Sequence, residues 1–254
     1  MISRTTRNLL SKWTIVLVIV AMISGMWAPT IFAASTASYT YTYDKSDIKA
    51  EGSSTYVSGD HMVWYDLDST KQRQIYYKHL KTGEVKQITD YASLKDGPAI
   101  TVMDNGEVVI IWQDRVDTGI SSGLWDIYAY YMDSGERIKL SNLATSIHMG
   151  ISVSDDIVVW YDQLNRDAYY YDLRTRQEEL FAKGTKPQVY GRSIAYITDQ
   201  GDVALYSLDK SVSEVLVDLP YHKCPDEIVY NGTHILWKEN NLDLKTKYVH
   251  YDTS

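Results

Sequence analysis

Apolar runs closed by an aromatic and followed by an acid recur along the chain. They read Met62 to Asp66 (MVWYD), Val108 to Asp114 (VVIIWQD), Ile157 to Asp162 (IVVWYD), Ser193 to Asp199 (SIAYITD) and His234 to Glu239 (HILWKE). Aligned on Trp64, Trp112, Trp160, Tyr196 and Trp237, the intervals are 48, 48, 36 and 41 residues. A period of roughly 40 to 50 residues belongs to one four-stranded propeller blade. A second run follows each of these, ending at Leu80, Met132, Leu173, Leu208 and Thr253, with tyrosines at every other place, as in Tyr128 and Tyr130. Period two marks a strand with one face buried, and Tyr suits such a strand. A tight turn and a third strand come next, with Gly83 and Gly135 where a hairpin asks for positive φ. A further strand precedes each aromatic, so each unit has four. No helical period is evident beyond residue 34.

The fifth unit stops short of its fourth strand, while Tyr39 to Tyr43 (YTYTY) alternates strictly ahead of the first unit. The expectation is an all-β fold: a five-bladed β-propeller of four-stranded antiparallel blades. The N-terminal strand closes the ring by supplying the last blade's outer strand and covering its edge.

The ends and the charge add a compartment. Arg4, Arg7 and Lys12 precede the apolar run Thr14 to Trp27, and Ile31-Phe32-Ala33 offers a cleavage site. Residues 1–33 therefore read as a signal peptide and 34–254 as one propeller domain. The run is broken by Gly25 and is short for a membrane span, so no membrane insertion is expected after cleavage. The mature chain carries 22 basic and 33 acidic residues, a net −11. That charge argues against nucleic acid, an anionic membrane surface and anionic ligands in general. Cys224 is the single cysteine, so stability rests on packing. An exported chain without cysteine pairs fits a bacterial source, and the long leader a Gram-positive one.

The units resemble TolB-type β-propeller repeats. The second shows this best, in Asn105-Gly106-Glu107, Val108 to Trp112, Asp114, Asp126-Ile127-Tyr128 and Ser134-Gly135-Glu136. The first matches through Trp64, Asp66, Ile75-Tyr76 and Thr82-Gly83-Glu84, and the fourth departs most, with Tyr196 for Trp. The resemblance covers about Ser53 to Ser254. It implies a protein-interaction or surface role and carries over no catalytic residue.

Strand order narrows the site. Turns within the first and last strand pairs of a blade share one face of the disc. The longer connections share the other face: Arg115 to Trp125, Thr89 to Gly97, Asn142 to Met149, Asp218 to Pro225 and Lys238 to Lys247. Binding tends to sit on such loops. Trp125 is expected to be exposed there. Asp66, Asp114 and Asp162, with Asp199 and Glu239, are expected at the loop-facing ends of the second strands. They serve either as ligand groups, for a sugar or cation, or as caps on loop N–H groups. His148 and His222 fall on connections of the same face. No nucleophile elbow, His-Glu-x-x-His pair or phosphate-binding glycine loop occurs, so no catalytic residue, metal or cofactor is assigned. The expected function is a monomeric, non-catalytic module for a protein or glycan partner. The alternative is a five-bladed glycosidase-like enzyme, which needs carboxylates paired for acid–base work.

Overall fold

The apolar runs become the second strands of successive antiparallel sheets, and they are apolar throughout because both their faces are covered. The computed structural model describes residues 55–116, 124–142, 147–219, 225–240 and 246–253. Tyr39 to Tyr43, the proposed leader, the middle of the 115–125 loop, His222, Cys224 and the side chain of Glu239 lie outside the described residues.

The first blade is a meander of β1 (Thr55–Ser58), β2 (His61–Leu67), β3 (Arg73–His79) and β4 (Val85–Gln87). The second repeats it with β5 (Leu94–Val102), β6 (Val108–Val116), β7 (Leu124–Tyr131) and β8 (Arg137–Lys139). The third and fourth are not separate sheets. They run through β9 (His148–Ser154), β10 (Ile157–Asp162), β11 (Asp167–Asp172), β12 (Gln177–Tyr190), β13 (Ser193–Thr198), β14 (Val203–Ser207) and β15 (Val212–Val217) as one seven-stranded order. The 14-residue β12 is the outer strand of one blade and the inner strand of the next. Gly184 permits that crossing: a Cβ there would meet the Ile197 carbonyl oxygen at 2.4 Å. Among the described residues the fifth unit has three strands, β16 (Pro225–Tyr230), β17 (His234–Asn240) and β18 (Thr246–Asp252).

Core packing follows the alternation along each second strand. Val109 and Ile111 face the third blade, in a cluster with Val158, Trp160 and Tyr169. Val108, Ile110 and Trp112 face the first blade, with Val63, Tyr65 and Ile75. Tyr196 packs towards the third blade and Trp237 towards the fourth. Trp112, Trp160, Tyr196 and Trp237 therefore each reach back to the blade before them. All five anchors are buried, with Trp112 and Trp160 at 0% exposure, Trp237 at 2% and Trp64 at 9%. In the first three blades the anchor also stacks on its cross-strand tyrosine. The pairs are Trp64 on Tyr76, Trp112 on Tyr128 and Trp160 on Tyr169, with centroids 5.8 to 6.2 Å apart.

Hydrogen bonds between side chain and backbone tie the start of a blade's third strand to the end of its fourth. In the second blade Ser141 Oγ accepts from Ile127 N at 3.1 Å and donates to Asp126 at 3.0 Å. Thr89 does the same in the first blade for Ile75 N and Gln74. The Asp-Ile-Tyr signature is thus a structural tie. The inner strands bend near the long-loop face, where β5, β9, β12 and β16 each carry a register shift against their neighbour.

Candidate functional site

Two cavities open on the face of the long connections. One, about 900 Å³, lies between the first and second blades. The other, about 670 Å³, is lined by Tyr161, Arg166, Lys186, Asp199 and Pro225 of the third, fourth and fifth. A smaller one, about 370 Å³, sits at the short turns. There Arg174 bridges Asp104, at 2.8 Å, and Asp156, joining the second and third blades.

The larger cavity is built around Tyr91, on the connection between β4 and β5. Its hydroxyl donates to the Asp114 carboxylate, which also accepts from Trp112 Nε1 at 3.2 Å. Burial, and then that hydrogen bond, push the Tyr91 phenol well above its usual range. Lys95, cross-strand partner of Asp114, is fully buried beside it. Its Nζ donates to Tyr91 O at 2.6 Å and Ser93 Oγ at 2.9 Å, and lies 3.9 Å from the centre of the Tyr91 ring. Desolvation lowers the Lys95 pKa, and the nearby Asp114 works against that shift. The Arg137 guanidinium also lies over the Tyr91 ring, 4.5 Å from its centre. Lys71, Arg73, Arg115 and Arg137 all line the space, against Asp114 as the one lining acid. The chain's acidic balance is reversed here, contrary to the expectation that the net charge disfavours anionic ligands. Whole-chain charge does not fix the field inside one cavity.

Lys71 sits at φ 62°, in the loop between β2 and β3. Asp68 holds that loop by accepting from Thr70 N, Thr70 Oγ and Gln72 N. These bonds, the Thr70 hydroxyl's first, lower the Asp68 carboxyl to about 2. Arg166 at φ 56° and Lys186 at φ 54° hold the same left-handed conformation beside the second cavity. A non-glycine residue in that region costs on the order of 1 kcal/mol, which the surroundings must offset.

The anticipated site residues do not converge on one cavity. Asp114 lines the larger one. Asp66 accepts from Leu67 N at 2.7 Å, and fully buried Asp162 caps its loop through Leu164 N at 2.8 Å and Asn165 Nδ2 at 2.5 Å. Asp162 thus caps its own loop, while Asp66 bonds the adjacent N–H at the end of β2 and Asp68 holds the loop that follows. Trp125 is half-buried rather than exposed, because β6 and β7 pair out to Arg115↔Trp125 and Val116↔Leu124. His148 is wholly buried at the head of β9, with Nδ1 at 2.9 Å from Trp125 O. Burial lowers its pKa, so the neutral ring donates through Nδ1–H. Its Nε2 has no hydrogen-bond partner. Trp125 and His148 meet in the wall between the second and third blades, away from the cavity. Among the described residues no three His, Cys, Asp or Glu side chains come together as a metal site. Lys71, Arg73, Tyr91, Lys95, Arg115 and Arg137 were not anticipated. They come from four segments, at 71–73, 91–95, 115 and 137, and share no motif.

No protein-family model matches the chain, and no curated protein sequence matches it. Solved structures do resemble it. A protein described as TolB from Agrobacterium tumefaciens is 15% identical, with 77% of this chain and 74% of that one covered, at TM-score 0.51. A chain in a nidogen/laminin complex is also 15% identical, covering 78% and 74%, at 0.51. A puromycin hydrolase is 11% identical, covering 76% of this chain and 34% of its own, at 0.55. At such identities the likeness concerns the fold, which is of the TolB-type β-propeller kind.

Proposed function

We propose that this TolB-type propeller is an exported, non-catalytic interaction module that binds a protein or glycan partner on its long-loop face. The observation that carries the reading is that two cavities open on that face. Their walls come from loops whose roots are fixed in stacked sheets, the usual setting for a site on a rigid scaffold. A chain of this fold was solved in a nidogen/laminin complex, so the scaffold serves protein association there. An acid–base pair for polysaccharide cleavage has no support in the larger cavity, where Asp114 is the one lining acid and is already bonded to Tyr91 and Trp112.

The reading includes a closed ring of five blades, with Tyr39 to Tyr43 completing the fifth, and export through a leader cleaved after Ala33. Three observations support closure. Trp112, Trp160, Tyr196 and Trp237 each pack back on the preceding blade, and Trp64 is buried although no described interblade cluster contains it. Met62, on the same face of β2, is buried as well. The fifth blade packs Ile228, Tyr230 and Trp237 against the fourth and leaves the cross-strand pair Val229 and Leu236 59% and 40% exposed on its other face.

The full chain, produced by an exporting bacterial host, should yield Ala34 as its first residue on N-terminal sequencing. Its binding should then be screened against polysaccharides and envelope proteins, with reducing ends measured in the same wells. Retention without release supports the module. Release of reducing ends, abolished by Asp114→Asn, points to the enzyme instead.

A further inference from the structure

We propose that the cavity between the first and second blades is an oxyanion site, built for a small ligand that carries carboxylate or phosphate groups. The inference rests on the long-loop face being the binding face and names the ligand class of that site.

Charge makes the first argument. A chain with 25 basic and 33 acidic residues places Lys71, Arg73, Arg115 and Arg137 around one cavity, with a fifth cation, Lys95, buried against the Tyr91 ring of its wall. Like charges in a partly desolvated space repel, so the grouping raises the energy of the empty site and lowers it when an anion enters. The one lining acid, Asp114, offsets one of these charges and its oxygen is engaged by the Tyr91 hydroxyl and the Trp112 indole N–H, so the lining side chains keep a positive balance.

Positioning makes the second. Lys95 binds the Tyr91 carbonyl and Ser93, fixing the connection on which Tyr91 stands. The Tyr91 ring lies under the Arg137 guanidinium at 4.5 Å, and Tyr65 lies under Arg73 at 4.6 Å. Aromatic supports orient a guanidinium while leaving its N–H edge for a planar oxyanion. Arg73 also has Asp96 at 3.6 Å, a loose ion pair. Lys71 is held at φ 62°, where Gly or Asn would be easier, by a loop that Asp68 ties together.

Size makes the third. About 900 Å³ suits a ligand of small-molecule scale. The anionic groups can come from an acidic saccharide or from phosphate, and the probes separate these sources.

The test titrates the full chain with trigalacturonate, inorganic pyrophosphate and the neutral maltotriose, at low and moderate salt. At least one acidic probe should bind, more weakly as salt rises, and maltotriose should not. Trigalacturonate alone marks a saccharide carboxylate; pyrophosphate alone marks a phosphate; both mark a site that reads charge. Lys71→Gly relieves a left-handed lysine and so keeps the fold, and Arg137→Gln removes a partly exposed cation. Each should weaken the acidic probe at least about tenfold, the loss of one charge-assisted contact, with the protein still folded cooperatively. The inference is overturned if neither acid binds, if maltotriose binds as well as they do, or if both variants bind like the parent. A neutral ligand seated on the long-loop face would end this inference and leave the broader reading in place. A ligand seated at the short turns would end both.

Discussion

Trp112 and Trp160 are a controlled pair. They occupy the same place in successive blades, both are fully buried, and both stack on a tyrosine at nearly the same distance and tilt. They differ at the indole N–H. Trp112 donates to Asp114 at 3.2 Å, whereas Trp160 Nε1 is buried with no partner, because Asp162 turns to cap its own loop. Replacing either by Phe removes similar volume from similar packing, a common loss on the order of 1 to 2 kcal/mol. Trp112→Phe also loses a hydrogen bond to a carboxylate, about 1.5 to 3 kcal/mol. The low end applies, since the bond is long and Tyr91 still serves Asp114. Trp160→Phe instead deletes an orphaned donor whose burial costs about 1 kcal/mol or more. Trp112→Phe should therefore be less stable than Trp160→Phe by about 2 kcal/mol or more, or roughly 4 °C in Tm for a domain of this size. Equilibrium urea unfolding of both variants reads the difference. Equal losses, or a larger loss at Trp160, would refute the reasoning and mean that the Trp160 N–H is satisfied.

Three further outcomes follow from the same structure. Deleting Ser38 to Asp44 should cost several kcal/mol, on the order of 3 or more, because it removes the strand proposed to close the ring; an unchanged unfolding midpoint contradicts closure. His148 should make stability fall with acid: burial lowers its folded pKa, against the pull of Asp126 and Asp162, while the unfolded ring titrates near 6.5. Its contribution is complete above about pH 6.5 and declines below it by up to about 1.4 kcal/mol per pH unit. Unfolding free energies at pH 7.5 and 5 should show this fall, and His148→Asn should reduce it. Gly184→Ala should cost more than about 3 kcal/mol, since its Cβ would press on a backbone oxygen at 2.4 Å; a loss under about 1 kcal/mol would mean that β12 shifts freely.

The strands were legible because a second strand covered on both faces needs an uninterrupted apolar run, as Val108 to Trp112 provides. The third strands were legible from the tyrosines that stack on the anchors. Loop lengths were less so. The ladder continues through Arg115↔Trp125 and Val116↔Leu124, a pairing that a hydrophobic pattern does not register. For the same reason Trp125 reads as a loop aromatic but stands half-buried in a strand. The merger of two blades through β12 depends on one close approach at Gly184, again invisible to periodicity. The face of the cavities followed from strand order. The cations did not, since Lys71, Tyr91, Arg115 and Arg137 meet only after the five strands β3 to β7 have folded back. The repeated acids likewise look equivalent in sequence, yet Asp114 bonds Tyr91 and Trp112, Asp66 bonds the adjacent N–H and Asp162 caps its own loop.

The central claim is that partners bind the long-loop face, and hydrogen exchange of the full chain tests it most directly. Exchange should be followed with and without the polysaccharide or envelope protein retained most tightly in the screen. Slowed exchange is expected at 68–72, 89–94 and 113–116, with the short turns at 103–107, 133–136, 155–156 and 174–176 unchanged. Protection of those short turns instead, or a screen that retains nothing, would contradict the account.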